Sequence, residues 1–258
     1  MLSAEQLRDL VVRFDVPGVQ AILLVGSFSR GEAGLYSDVD LVRLVSKPLP
    51  GAGSHLWNDQ LINVLVNVSD ADTKAVEAWF SEPEQAVDVV SGLRVARVLR
   101  DRDGAAEALV ARAQAFVWTP ALQKKADRWA STQLVGWAEE AHKGLAGLQT
   151  GDLGKLLNAR FGLSWGLAKT VRVQRGLLSS SDNAFLNDLQ TELRGTPDGV
   201  RWLSLLHKAY GLTGLPLSEQ VRAGLKLYAL TTELLQPVLQ ACDRPVIDHT
   251  VSLIRRGR

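Results

Sequence analysis

Val19-Gln20-Ala21-Ile22-Leu23-Leu24-Val25 runs into Gly26-Ser27-Phe28-Ser29-Arg30-Gly31, and Ser37-Asp38-Val39-Asp40 runs into Leu41-Val42-Arg43-Leu44-Val45. Two apolar runs of strand length thus deliver a Gly-Ser turn and an Asp-x-Asp pair to one place, with one short connection between them. Side chains at i and i+2 of a strand share a face. Asp38 and Asp40 therefore stand side by side and repel unless something positive lies between them. A hard divalent cation such as Mg²⁺, held by one or two carboxylates, water and phosphate oxygens, meets that need. A Gly-Ser turn that opens a helix exposes backbone N–H groups and the positive end of the helix dipole to an anion. Gly26 lets the backbone approach a phosphate, the Ser27 hydroxyl donates to it, Arg30 adds positive charge, and Gly31 permits the next turn. Each part alone reads as a capped turn or a solvated strand start. Their ordered combination points to metal-assisted phosphoryl or nucleotidyl transfer.

Outward from this stretch, Ser3 with Gln6 has the spacing of a capping box. Leu7, Leu10, Val11 and Phe14 recur at helical spacing. A helix is predicted from Ala4 to Phe14, ended by Pro17-Gly18. Strands are predicted at Val19–Val25 and Asp38–Val45. Residues 48–53 (Pro-Leu-Pro-Gly-Ala-Gly) read as a loop. A third strand is predicted at Leu61–Val68, with Ile62, Val64, Val66 and Val68 on one face and Leu61, Asn63, Leu65 and Asn67 on the other. Asp70 or Asp72 is placed to cap a helix through Val76, Trp79 and Phe80. A further strand is predicted at Arg94–Leu99, before the turn Asp101-Arg102-Asp103-Gly104. Beyond Trp118-Thr119-Pro120 helical periodicity dominates, at Pro120–Leu148, Leu153–Arg175, Asp182–Leu193, Gly199–Tyr210 and Ser218–Gln240. The tail Arg255–Arg258 is predicted to be mobile. The reading is α+β: an N-terminal α/β domain with a small mixed sheet at residues 1–118, and an all-helical bundle domain at 119–258.

Composition narrows the partners. The chain has 258 residues, 46% hydrophobic and 22% charged, as expected of a globular protein. A formal net charge of +1 argues against nucleic acid as a partner. Cys242 is the single cysteine, so an internal disulfide and a Cys-based zinc site are excluded. The four histidines are scattered, with no HxxxH pair. No signal-peptide pattern and no apolar run near the ~20 residues of a membrane span is seen, so a cytoplasmic location is expected.

Gly26, Ser27, Arg30, Gly31, Ser37, Asp38 and Asp40 together resemble the nucleotidyltransferase family with the DNA polymerase beta type of fold. The resemblance covers residues 4–118, and the helical remainder is similar to that of the aminoglycoside nucleotidyltransferases. It implies transfer of a nucleoside monophosphate, AMP from ATP, to a hydroxyl of a small acceptor such as an aminoglycoside-like antibiotic. It implies Gly26, Ser27 and Arg30 at the triphosphate. It also implies two Mg²⁺ ions held by three carboxylates. Here the sequence departs from the family. Asn63 aligns with the expected third acid and is the expected third metal ligand, after Asp38 and Asp40, through its carbonyl oxygen; an amide neither acts as a base nor cancels metal charge. Asp59, Asp70 and Asp72 are poorer substitutes, better read as turn and cap residues.

The resemblance further implies a base from the first long C-terminal helix, with Glu139 the best match. Glu139 and its neighbour Glu140 also read as an exposed acid pair supporting Lys143. Lys155, Arg160 and Lys169 read as solvated surface or as contacts to substrate, and Trp137 and Trp165 as core or as cleft lining. Two alternatives stay open: a catalytically weakened nucleotide-binding or regulatory homologue, and adenylylation of a protein partner. A homodimer is also left open.

Overall fold

The structure, a computed structural model, describes residues 2–47, 49–69 and 73–257, with the side chains of 66–69 and 73 excluded. The predicted caps Asp70 and Asp72, and the side chains of Val66, Asn67 and Val68, lie outside that description. The chain divides into two compact units, Met1–Val117 with Leu178–Asn183, and Trp118–Leu177 with Ala184–Arg258.

In the first unit, α1 (Ala4–Phe14) starts at the predicted capping box: the Ser3 hydroxyl accepts from the Gln6 N–H, and the Gln6 amide oxygen accepts from the Ser3 N–H. Five strands follow in part: β1 (Val19–Val25), β2 (Val39–Val45), β3 (Gly53–Trp57), β4 (Gln60–Ser69) and β5 (Arg97–Asp101). They form one mixed sheet in the order β3-β4-β2-β1-β5. The β2–β4 pair is parallel and the other pairs are antiparallel. One face of the sheet presents Ile22, Leu24, Val39, Leu41, Ile62 and Val64 to Leu7, Leu10 and Phe14 of α1. Leu10 and Ile62 are fully buried there.

The sequence reading is corrected at four places. First, the 48–53 loop ends in β3 at Gly53. Its hairpin to β4 turns through Asn58 (φ 46) and Asp59 (φ 58), both left-handed. That is the backbone of a two-residue hairpin turn, for which Asn-Asp is suitable chemistry. Second, Arg94 belongs to a helix, α4 (Pro83–Arg94), which follows α3 (Thr73–Ser81); β5 begins at Arg97. Ala86, Val87, Val90 and Leu93 recur at helical spacing and are buried, so packing rather than β-propensity decides this stretch. Third, α5 (Ala105–Ala115) follows the 101–104 turn, with the Asp101 carboxylate accepting from the N–H groups of Gly104 and Glu107. Fourth, Arg255 and Arg256 are helical, not a loose tail.

Among its described residues the second unit contains helices and their connections and no strand. It comprises α6 (Pro120–Thr150), α7 (Leu153–Phe161), α8 (Leu167–Gln174), α9 (Phe185–Leu193), α10 (Pro197–Tyr210), α11 (Leu217–Leu235) and α12 (Arg244–Arg256). A π-helical turn, Gly162–Gly166, joins α7 to α8 within what the sequence reads as one helix. Gly162 lies against Glu140, and Gly166 lies against the Trp137 ring, leaving no room for a side chain at either. The core gathers Leu134, Leu163, Leu167, Trp202, Leu225 and Tyr228, all buried. Two of its polar groups are paired inside it: Trp202 Nε1 donates to Thr231 Oγ1 at 2.8 Å, and the Tyr228 hydroxyl donates to the Leu134 carbonyl at 2.9 Å. Among the described residues, no helix is long and apolar enough to cross a membrane.

Because α1 backs the sheet beneath the strand ends that carry the carboxylates, its seam governs their support. Leu10→Ala is expected to lower stability by about 3 kcal/mol, the middle of the range for a buried leucine truncation, as measured by urea denaturation.

Candidate functional site

The candidate site is assembled by strand pairing. Antiparallel pairing of β1 with β2 sets Val25 opposite Asp40, so Gly26, the next residue, meets the start of β2. Parallel pairing of β2 with β4 sets Asp40 beside Asn63. Antiparallel pairing of β4 with β3 then sets Asn63 beside Ser54. By strand alternation, Asp40 and Asn63 stand on the face of the sheet away from α1. Leu61 and Leu65 share that face and are 46% and 54% exposed, whereas Ile62 and Val64 on the α1 face are buried. The predicted division of β4 into two faces is therefore observed where its side chains are described.

The Gly-Ser turn wraps tightly onto Asp40. Gly26 has φ +71, and a Cβ built on it would collide with the Asp40 carboxylate. Only glycine holds that backbone without strain or displacement. Gly26–Arg30 forms a short helix, α2, closed by Gly31 in the left-handed conformation. At five residues it is little more than one turn, too short to build up the dipole of a longer helix. The Ser27 hydroxyl has no hydrogen-bond partner among the described residues, whereas Ser29 Oγ donates to the Gly26 carbonyl at 2.9 Å. The Arg30 side chain is 12% exposed, and its Nε lies 2.7 Å from Glu32 Oε2.

The approach to Asp38 is fixed by Ser37 and by Gln60, the second of which the sequence reading did not single out. The Ser37 hydroxyl accepts from the Gly34 N–H at 2.9 Å. Gln60 Nε2 donates to the Ser37 carbonyl. Asn63 Nδ2 donates to Asp38 Oδ2 at 2.5 Å, and Ser54 Oγ donates to Asn63 Oδ1 at 2.8 Å. Ser54 was missed because the glycine-rich segment before it reads as loop. The recoverable signal was the Asn58-Asp59 hairpin turn.

The electrostatics of the pair follow from its position. Burial, and then the neighbouring charge of Asp38, push the Asp40 carboxyl up to about 6. The hydrogen bond from Asn63 and the more distant Arg30 charge oppose that rise. Two carboxylates so placed, over a glycine cradle and beside a free hydroxyl, suit a hard divalent cation bridged to an anionic oxygen ligand. Among the described residues no group of three His, Cys, Asp or Glu side chains is placed to hold a metal. The residues present therefore fit a cation completed by ligand or solvent oxygens rather than one enclosed by protein acids.

Glu139 lies on α6 in the helical unit, with a side chain 74% exposed and an Oε1 2.8 Å from Lys143 Nζ. The hydrogen bond from Lys143 holds the Glu139 carboxyl below its usual range. Lys143 also reaches Glu140 at 2.7 Å. Lys155 pairs with Asp152 at 3.7 Å, and Arg160 Nη2 donates to the Tyr210 carbonyl at 2.7 Å. Trp137 Nε1 donates to Thr170 Oγ1 at 3.2 Å, while Trp165, 49% exposed, stacks on Phe185.

Residues 5–94 match the family model of the nucleotidyltransferase domain. That span includes the Gly-Ser turn, both carboxylates and Asn63, so the first unit carries a nucleotidyltransferase domain and the enzyme class is that of a nucleotidyltransferase. None of the curated proteins matches the chain. Among solved structures, a nucleotidyltransferase-like protein from Exiguobacterium sibiricum 255-15 is similar over 97% of this chain and 79% of its own, at 15% identity and a TM-score of 0.49.

Two outcomes are expected from this geometry. Gly26→Ala forces a left-handed alanine, costing about 1–2 kcal/mol, and displaces Asp40 as well; denaturation at neutral pH should show a loss at least that large. The second concerns pH. A carboxyl whose folded pKa is raised binds its proton more tightly in the native state, so its ionisation lowers stability as pH rises from about 4 through about 6. Asp40→Asn should therefore raise the melting temperature of metal-free protein at pH 8 by a few degrees. The gain should vanish near pH 4, as followed by circular dichroism.

Proposed function

We propose that the chain transfers a nucleoside monophosphate, AMP from ATP, to a hydroxyl of a small acceptor, and that Mg²⁺ is its cation. The observation that carries this reading is the packing of Asp40 onto Gly26 beside Asp38, within the span matched by the nucleotidyltransferase domain. In the reaction, the acceptor oxygen bonds to the α-phosphorus, the bond from that phosphorus to the bridging oxygen breaks, and pyrophosphate leaves. A cation on Asp38 and Asp40 would polarise the α-phosphate and offset charge on the departing pyrophosphate.

This chain's own residues then position and neutralise. Gly26 lets the main chain approach the triphosphate without a side chain in the way. Ser27 supplies an unused hydroxyl donor, and Arg30 a guanidinium within the field of Asp40. Asp40, raised to about 6, is ionised and ready for a cation at neutral pH and loses that readiness below it. Glu139 is proposed to take the acceptor's proton, its carboxylate kept ionised by Lys143. An aminoglycoside-like antibiotic is the acceptor class we propose; its hydroxyl-rich rings suit a transferase of this kind. The near-neutral net charge supports a small acceptor over nucleic acid.

The test is transfer of label from α-labelled ATP, with Mg²⁺, across a panel of hydroxyl-bearing antibiotics. Asp38→Asn and Asp40→Asn are each expected to abolish transfer with the far-ultraviolet circular dichroism unchanged. Wild-type turnover by either variant would overturn the assignment. Glu139→Gln is expected to lower kcat by about 10²–10⁴, the usual contribution of a general base, with the KM for ATP unaltered.

A further inference from the structure

We propose that this site takes one divalent cation, not two, and that Asn63, steadied by Ser54, presents an amide N–H donor where a second cation would need a ligand. The inference rests on the nucleotide-transfer reading and deepens it.

Three observations carry it. First, the amide has one orientation consistent with its neighbours. Asn63 Nδ2 lies 2.5 Å from Asp38 Oδ2, and an ionised carboxylate accepts hydrogen bonds but donates none. Turned over, the amide would set its carbonyl oxygen against a carboxylate oxygen with no proton between them. Second, the far end of the amide is already used. Ser54, the cross-strand neighbour of Asn63, donates its hydroxyl to Oδ1 at 2.8 Å. An amide nitrogen bearing two protons has no lone pair for a metal. To coordinate through Oδ1, Asn63 would have to break both bonds and reverse its amide. Third, the charge count agrees. Asp38 and Asp40 together match one divalent cation, and no third His, Cys, Asp or Glu joins them among the described residues. A second cation would bring positive charge against N–H donors with nothing to cancel it.

Asn63 is thus a positioning residue. Its N–H group restrains the Asp38 carboxylate by donating to Oδ2. Ser54 sets the amide's direction from the edge strand.

The test counts bound Mn²⁺ by electron paramagnetic resonance on the full chain, with and without a non-hydrolysable ATP analogue, after subtracting analogue-only controls. Wild type is expected to hold one Mn²⁺ per chain, and Asn63→Asp two. Two Mn²⁺ on wild type, or one on a folded Asn63→Asp, would overturn the proposal. Should Asn63→Asp fail to fold, Asn63→Glu takes its place, with two Mn²⁺ per chain expected. One Mn²⁺ on a folded Asn63→Glu would overturn the inference. Failure of the analogue to bind would count against the nucleotide reading alone, and the Mn²⁺ count without nucleotide would still decide this one.

Discussion

The repulsion between Asp38 and Asp40 is the constraint around which the first unit is organised. Burial, and then the neighbouring charge of Asp38, raise the cost of ionising Asp40. The Arg30 charge offsets only part of that cost. Arg30 lies near enough to be felt by Asp40, yet its guanidinium is engaged by Glu32 at 2.7 Å. What remains is one amide donor and an open glycine surface. A site left with uncompensated negative charge, beside a backbone that admits close approach, is prepared for a cation that arrives with its own oxygen ligands.

Strand order turns that local chemistry into a site. The parallel step from β2 to β4 skips β3 in space, because β3 returns by a hairpin to the outer edge. Asp40, Asn63 and Ser54 therefore line up across three adjacent strands. A register slip of one residue in β4 would send Asn63 to the α1 face and bring Ile62 or Val64 to the carboxylates. Burial of Ile62 and Val64 under α1 opposes that slip. The hydrophobic seam of α1 and the polar geometry of the site are thus the same constraint seen from the two faces of one sheet.

The helical unit is held by a different balance. Its core buries aromatic residues whose polar ends are satisfied inside, as in Trp202 to Thr231 and Tyr228 to Leu134. Glycines at 162 and 166 let one helix lie close to Glu140 and Trp137 of α6, and a π turn occupies that contact. Periodicity revealed the helices but not the π turn, which is a change of hydrogen-bond register set by the close contact with α6.

The sequence by itself determined the Gly-Ser turn, the Asp pair, the first three sheet strands it named and the capping box of α1. These depend on neighbours within a few residues, and alternation or cap chemistry is visible at that range. It also located Asn63 as the departure from a three-acid pattern. Tertiary structure decided the rest. β3 needed its partner β4, since five residues of mixed polarity carry no period of their own. α4 needed its packing against α3 and α5 to outweigh the β-branched residues at its centre. The direction of the Asn63 amide needed both Asp38 and Ser54, one from each neighbouring strand. Which atom of a neutral amide faces a pair of charges is set by groups 25 and 9 residues away along the chain, and no local pattern records it.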